Sequence, residues 1–393
     1  MENLAQNYLL SQLSRSRVPK RRTHGKRIDF FRKYDENIFN RRFRLSKESF
    51  LYVLTKIEAK IRSSSERNCP LSPTEMLLLA LRFYASGSFL ISIADFCGVS
   101  VATASRVVNK VSNAIASISK DFIKMPNTST EIENANTSFH QIAKFPKVIG
   151  CIDCTHVRIQ SPGGENAEIF RNRKGYFSFN VQAVCNANLI ITDLVCRWPG
   201  SAHDSNIFNN SRLKHRFEQN EFKECFLLGD SGYSVNKYMM TPLLHPSARA
   251  ETLYNESQIR TRNCIERCFG VWKRRFPVLS LGLRLSQGTI MNIIVACGVL
   301  HNIARQNKDT YQFEEESLNV PETTAPFIDA EEIANERQEN NVVRSNLIRD
   351  YFSRFVNNLA YIAKNEIYFC FLPGYNGHAI IVALEADDKL FII

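Results

Sequence analysis

Lys147-Val148-Ile149-Gly150-Cys151-Ile152-Asp153-Cys154-Thr155-His156-Val157-Arg158-Ile159 (residues 147–159, KVIGCIDCTHVRI) decides how this chain is read. The run has the β-branched, apolar character of a core strand, yet Asp153 stands inside it, between Ile152 and Cys154. A carboxylate in a core strand is costly unless something pairs with it. Two further β-rich stretches, FSFNVQAVCNA and LIITDLVCRW, follow across an Asn-containing turn and predict a hairpin. A helix is expected over Asp204–Glu218, then a short apolar strand, CFLLGD, that ends on Asp230. Ser257–Phe276 predicts a helix with Ile265, Phe269, Trp272 and Phe276 as its buried stripe, and a last apolar helix runs over Thr289–Ala304. The order β-β-β-α-β-α-α predicts an α/β fold, a mixed sheet flanked by helices.

In that order, strands one and four can lie side by side. A helix across them sets Glu266 beside both Asp153 and Asp230. Converging carboxylates repel, and a divalent cation, Mg²⁺ or Mn²⁺, is the natural remedy. Two metals on such a cluster can activate water and stabilise a leaving oxygen in phosphodiester hydrolysis. Asp204, in Pro199-Gly200-Ser201-Ala202-His203-Asp204, is a fourth acid; as a helix-start residue it also has a structural reading. Any one of the four acids alone also reads as structural, and it is their joint position that points to metal.

Upstream the chain is helical and basic. Of 393 residues, 44% are apolar and 23% charged, which supplies a sizeable core and argues against wholesale disorder. The formal charge is +11, and residues 308–341 hold ten acids and two bases, so the remainder carries +19 and favours a polyanionic partner. Residues 1–45 read as a basic arm, with clusters at Arg15, Arg17, Lys20, Arg21, Arg22, Lys26 and Arg27 and at Arg41, Arg42 and Arg44, suited to phosphate contact, nuclear import or plain solvation. Residues 46–125 predict a helical domain. Ser72-Pro73-Thr74-Glu75 is a capping-box start, Met76, Ala80 and Phe83 form an apolar face, and Gly87 ends that helix. Two short helices then flank Cys97-Gly98-Val99-Ser100 in a helix-turn-helix pattern, with Thr103, Arg106 and Lys110 on one side of the second; an ordinary helical bundle is the alternative. Residues 124–146, rich in Asn, Ser and Thr, read as a loop or linker. No window holds 18 uncharged apolar residues, so no membrane partner is expected. The N-terminus lacks the pattern of a secretory signal, and with an odd count of eleven cysteines a reducing compartment is expected.

GCIDCTHVRI, NRKGYFSFNVQAVCN, WPGSAHDSNIF, LLGDSGY, MTPL, NCIERCFGVWKRRFPVL and VACGVLHNI occur in this order, and through them the chain resembles the PIF/Harbinger transposase-derived nucleases over roughly residues 70–305. The resemblance implies a DDE ribonuclease H-like domain over 146–305. It assigns Asp153, Asp230 and Glu266 as catalytic acids and metal ligands, with Asp204 as a further ligand. It implies a divalent-metal DNA nuclease. A Myb/SANT-like protein would supply DNA binding and nuclear import, the chain would divide between nucleus and cytoplasm, and a homo-oligomer is allowed. A domesticated DNA-binding or adaptor protein that keeps the fold without cleaving is the alternative.

Lys273 and Arg274, after Glu266, read either as phosphate contacts beside the metals or as a basic helix end complementing the macrodipole. Arg171, Arg173 and Lys174 read as a second phosphate edge or a solvated loop. His156 and His203 read as hydrogen-bonding neighbours of the acids. A zinc site at Cys151 and Cys154 is disfavoured because the two point to opposite faces of a strand. Residues 306–353 read as an acidic spacer and tail. Residues 354–393 form an apolar, β-prone extension unlike the rest, read as a translated-intron artefact in preference to a genuine extension.

Overall fold

Strand β1 (Val148–Arg158) is eleven residues long and central in a five-stranded sheet of order β3-β2-β1-β4-β5. The others are β2 (Ser178–Cys185), β3 (Ile191–Pro199), β4 (Phe226–Leu228) and β5 (Met239–Met240). The pairs β1–β2 and β2–β3 are antiparallel, whereas β1–β4 and β4–β5 are parallel, so the sheet is mixed as expected. The β2–β3 hairpin turns on Asn186, whose side-chain oxygen accepts from the amides of Asn188 and Ile190 at 3.0 and 2.9 Å. Two-residue β5, which overlaps the MTPL motif only at Met240, is too short to leave a periodic signal.

The computed structural model describes residues 27–63, 70–309, 337–356, 368–373, 379–384 and 390–392. The helices of eight or more residues before the sheet are α1 (Glu36–Phe43), α2 (Lys47–Ile61), α3 (Pro73–Ser86), α4 (Leu90–Cys97), α5 (Val101–Ala116) and α6 (Ser129–Ala143); single turns lie at Phe30–Lys33 and Ser119–Phe122. Ser72 and Glu75 close the expected capping box on α3, and Gly87 ends it with a left-handed φ of 60°. That helix is buried almost all round, not on one face, because Leu78 and Leu79 are covered as well as Met76, Ala80 and Phe83. Helices α4 and α5 meet at 99° across Gly98, the geometry of a helix-turn-helix.

Two expectations fail here. Residues 124–146 contain α6, not a linker: Thr128 and Glu131 form a second capping box, and only Ile132 and Phe139 of the helix are buried. Polar composition hid a helix that needs two apolar anchors. The expected arm is also shorter than 45 residues. Phe39, Phe43 and Leu45 are fully buried, so residues 30–45 are folded. The clusters from Arg15 to Lys26 lie outside the described residues, as does the acidic run 310–336.

After the sheet's hairpin come α7 (Asp204–Asn209) and α8 (Arg212–Glu218) in place of one expected helix. Ser211 caps the second of them, accepting from the amide of Lys214, and so breaks the run. These two cover one sheet face, where Phe208, Leu213 and Phe217 meet Ile152, Val184 and Leu227. Helices α9 (Arg249–Arg275) and α10 (Gln287–Gln306) cover the other. The stripe Ile265, Phe269, Trp272 and Phe276 is buried as read. By length and composition α10 is apolar enough to cross a membrane, but its apolar side chains lie in the core. That core is continuous from Leu77, Val108 and Val111 of the N-terminal helices through Ile294 and Leu300 of α10 to Cys151 and Val181 of the sheet. One buried amide ties the three together: Asn302 accepts from the Ile191 amide at 2.8 Å and donates to the carbonyls of Ile191 and Phe122 at 2.7 and 2.9 Å. Beyond α11 (Arg337–Leu347) and a turn of π-helix at Ile348–Phe352, three described segments of the C-terminal extension are strands. Its antiparallel meander comprises β6 (Tyr368–Pro373), β7 (Ala379–Leu384) and β8 (Leu390–Ile392).

Gly150 is where β1 is most tightly flanked. A Cβ there would collide with Val184 and come within 3.1 Å of Leu227, in the strands on either side. Gly150→Ala is expected to cost about 1–3 kcal/mol through overpacking, read as a lower urea midpoint at unchanged m-value.

Candidate active site

Strand β4 pairs only with Val148–Cys151 of β1, so from Asp153 onward β1 has a strand partner on one side alone. The open flank beyond the end of β4 is a notch at the carboxyl ends of two parallel strands, the usual place for a site in such sheets. Asp153 enters it from β1, and Asp230 enters it two residues past β4. Strand alternation aims Cys151, Asp153 and Thr155 at α9. Each meets that helix: Cys151 Sγ lies 3.4 Å from the Thr261 carbonyl, Asp153 Oδ2 lies 3.6 Å from Arg262 Nη1, and Thr155 Oγ1 accepts from Lys273 Nζ at 2.6 Å. Glu266, one turn after Arg262, accepts from its Nη2 at 2.8 Å.

Asp204 comes from the opposite face, at the start of α7. Asn180 Nδ2 donates to its carboxylate at 2.8 Å, and the Cys154 thiol lies between it and the Tyr233 hydroxyl. Asp230 is held by the Gly232 amide at 3.0 Å. Its loop is in turn fixed by Gln258, whose buried amide donates to the carbonyls of Gly229 and Met240 at 2.8 and 3.2 Å. Burial, then the charges of Asp230 and Asp204, push the Asp153 carboxyl up to about 7, against the pull of the Cys154 amide and Arg262. Burial also raises Asp230, opposed by the Gly232 amide and reinforced by the charge of Asp204.

The basic and histidine candidates fall into place around this notch. Lys273 also donates to the His156 carbonyl at 2.9 Å, on a stretch of β1 without a second strand neighbour, and burial lowers its ammonium to about 8. Its charge ties α9 to β1. Arg274 is half-buried on the same helix. His156 bonds Ser178 through Nδ1 at 3.0 Å, and His203 bonds Arg173 at 2.7 Å. Arg171 pairs with Glu168 at 2.7 Å. Away from the notch, Arg106 is exposed on α5, whereas Lys110 donates to the carbonyls of Ile61 and Arg62 at 2.7 and 3.1 Å and so caps α2.

With this geometry, the comparisons with known proteins become specific. The family described as DDE superfamily endonuclease matches residues 152–302, a span that contains all four acids. The protein named "Putative nuclease HARBI1" is 36% identical over 262 residues in Bos taurus and in Homo sapiens, covering 66% of this chain and 75% of that protein. The chain belongs to the Harbinger-derived DDE superfamily nuclease family. "Protein ALP1-like" of Arabidopsis thaliana is 24% identical over 297 residues, 70% of this chain and 72% of that protein. No solved structure matches significantly. The five-stranded mixed sheet under helices is the ribonuclease H-like arrangement of this nuclease family.

DDE superfamily endonucleases generally use divalent metals. Among the described residues, no three His, Cys, Asp or Glu side chains already stand close enough to form a metal cage. The donor chemistry nevertheless suits one: Asp153, Asp230 and Glu266 are hard oxygen donors from three elements, two of them with raised pKa, and Arg262 is the cation that pairs with them. Sequence reading missed Arg262, Gln258 and Asn180. The spacing of Arg262, four residues before Glu266 on a helix, is the one signal that marks any of them.

A carboxyl that titrates near 7 when folded and near 3.9 when unfolded holds its proton longer in the native state. Ionising it therefore costs native stability, a loss that begins above pH 4 and is complete above pH 7. In EDTA, Asp153→Asn is expected to raise stability at pH 8 by roughly 2–4 kcal/mol and to change it little at pH 4, as read by denaturant titration at the two pH values.

Proposed function

We propose that this chain cleaves phosphodiester bonds in DNA, with Asp153, Asp230 and Glu266 as the catalytic acids and metal ligands and Asp204 as a further ligand or support. The observation that carries this reading is that carboxylates from β1, the β4 loop and α9 border one notch, near enough to act on each other's charge and short of positive charge. Bound there, Mg²⁺ or Mn²⁺ would supply an acidified water and charge neutralisation at the phosphate oxygens. The protein's own groups hold the geometry. Lys273 fixes the free flank of β1, the Gly232 amide and Gln258 fix the Asp230 loop, and Asn180 aims Asp204. A water, or a DNA 3′-hydroxyl, would attack phosphorus opposite the leaving oxygen, so the acids serve hydrolysis and strand transfer alike.

The same reading takes DNA as partner, assigns DNA binding and import to a Myb/SANT-like protein, divides the chain between nucleus and cytoplasm, and allows a homo-oligomer. Arg106, Lys110, Lys273 and Arg274 remain proposed phosphate contacts, although Arg106, Lys110 and Lys273 would first have to leave the carbonyls to which they donate, and Arg274 likewise has a partner in the fold. A second reading, a DNA-binding or adaptor protein that no longer cleaves, is favoured by one observation: Arg262 already occupies the space between Asp153 and Glu266, and the acids are not gathered into a cage.

Plasmid nicking by purified protein separates the two. Cleavage with Mg²⁺ or Mn²⁺, none with EDTA, and a loss of 100-fold or more in both Asp153→Ala and Glu266→Ala is the expected result, on the order of one removed metal ligand. DNA bound but uncut by every variant, with the Myb/SANT-like partner present, would instead support the adaptor. Because residues 30–45 are folded, the arm is tested by removing residues 1–26 only. That deletion is expected to reduce the dependence of log affinity on log salt, in a filter-binding series from about 50 to 200 mM.

A further inference from the structure

Among the described residues, the Arg262 side chain directs its hydrogen bond and its ion pairs at carboxylates. It donates to Glu266 Oε1 at 2.8 Å and lies 3.6 Å from Asp153 Oδ2, and it caps no backbone carbonyl. Lys273, about three turns along the same helix, shows the contrast, since its ammonium is spent on a strand carbonyl and a hydroxyl. The guanidinium is 15% exposed, against 19% for Asp153 and 29% for Glu266, so the three charges are shielded from solvent together. Its charge also acts on Asp230, which makes one cation common to acids from three elements. Yet the compensation is loose. The Asp153 contact is long, and neither pair is bidentate, the geometry that gives an Arg–carboxylate bridge its strength.

A dication held by Asp153 and Glu266 would enter the space that the guanidinium now shares with both carboxylates. Two positive centres a few ångströms apart in a shielded notch repel strongly, so each weakens the hold of the acids on the other. Resting on the metal reading above, we propose that Arg262 is the resident counter-ion of the acid cluster and a direct competitor of divalent metal: the Arg262–Glu266 pair and metal binding weaken one another. The cluster exchanges one cation for another, and the long, flexible arginine side chain is what turns aside.

The test is Mn²⁺ binding by calorimetry on the full chain, comparing wild type, Arg262→Gln, Arg262→Lys and Asp153→Asn, with melting in EDTA and in Mn²⁺ alongside. Arg262→Gln is expected to melt lower in EDTA, because the acids lose their cation, yet to bind Mn²⁺ about tenfold tighter, the size expected for removing one competing charge from a half-buried pair. Its Mn²⁺-induced rise in Tm should exceed that of wild type, while Arg262→Lys stays near wild type. A residue that merely supported the fold would lower the EDTA melting point without tightening Mn²⁺. Unchanged or weaker Mn²⁺ affinity in folded Arg262→Gln, with wild-type binding present and lost in Asp153→Asn, overturns the competitor role alone. Absence of Mn²⁺ binding from both wild type and Arg262→Gln overturns the metal reading together with it, and binding by Arg262→Gln alone supports the proposal most directly.

Discussion

The difference in length between β1 and β4 is the constraint on which the site depends. Eleven residues of strand run beside three. Where the shorter strand stops, the longer one loses a neighbour, and its flank from Asp153 faces a gap until Leu283 bonds Arg158 and Gln160. A carboxylate tolerable there would be prohibitive one register further back, where β4 and the apolar residues of both faces close around Cys151 and Ile152. The gap also explains why Lys273 lies where it does: a strand carbonyl without a ladder partner needs a donor, and a lysine from the overlying helix supplies it.

Charge is left unbalanced in this notch. Asp153 and Asp230 are each pushed toward the protonated form, first by burial and then by their neighbours, and Arg262 answers only part of that. Charge left uncompensated in this way costs native stability, and a cluster fully neutralised by arginine and lysine would be more stable. The rigid supports lie one layer out: Asn180 and the Gly232 amide hold the carboxylates of Asp204 and Asp230, the buried Gln258 amide holds the backbone of the Asp230 loop, and none of these groups can itself titrate.

Much of this was legible in the sequence, because the deciding signals are local. An acid within a β-rich run, an acid closing a short apolar strand and a glutamate beside a helical stripe are readable from a single chain, and the strand order then brings them together. Helix α6 was not legible by composition, since two buried side chains in fifteen residues give no stripe, although its Thr128–Glu131 capping box was there to be read. The break at Ser211 and the two-residue β5 fall below the length at which periodicity speaks. Arg262 was visible only as a helical neighbour of Glu266; that it reaches Asp153 depends on how α9 crosses β1. The capping role of Lys110 likewise depends on where α2 ends in space, forty-nine residues away in the chain.

The amide of Asn302 gives the molecule's history a boundary. With Phe122, Ile191 and α10 joined through one side chain, and with Val108 and Leu300 in the same packed interior, the helix-turn-helix is not a cassette that recombination can trade. An exon boundary drawn between it and the sheet would deliver two halves, each with an oily face and an orphaned hydrogen-bonding group. Change on this side of the fold must therefore arrive by point substitution on the exposed face of α5, which the shared interior does not touch.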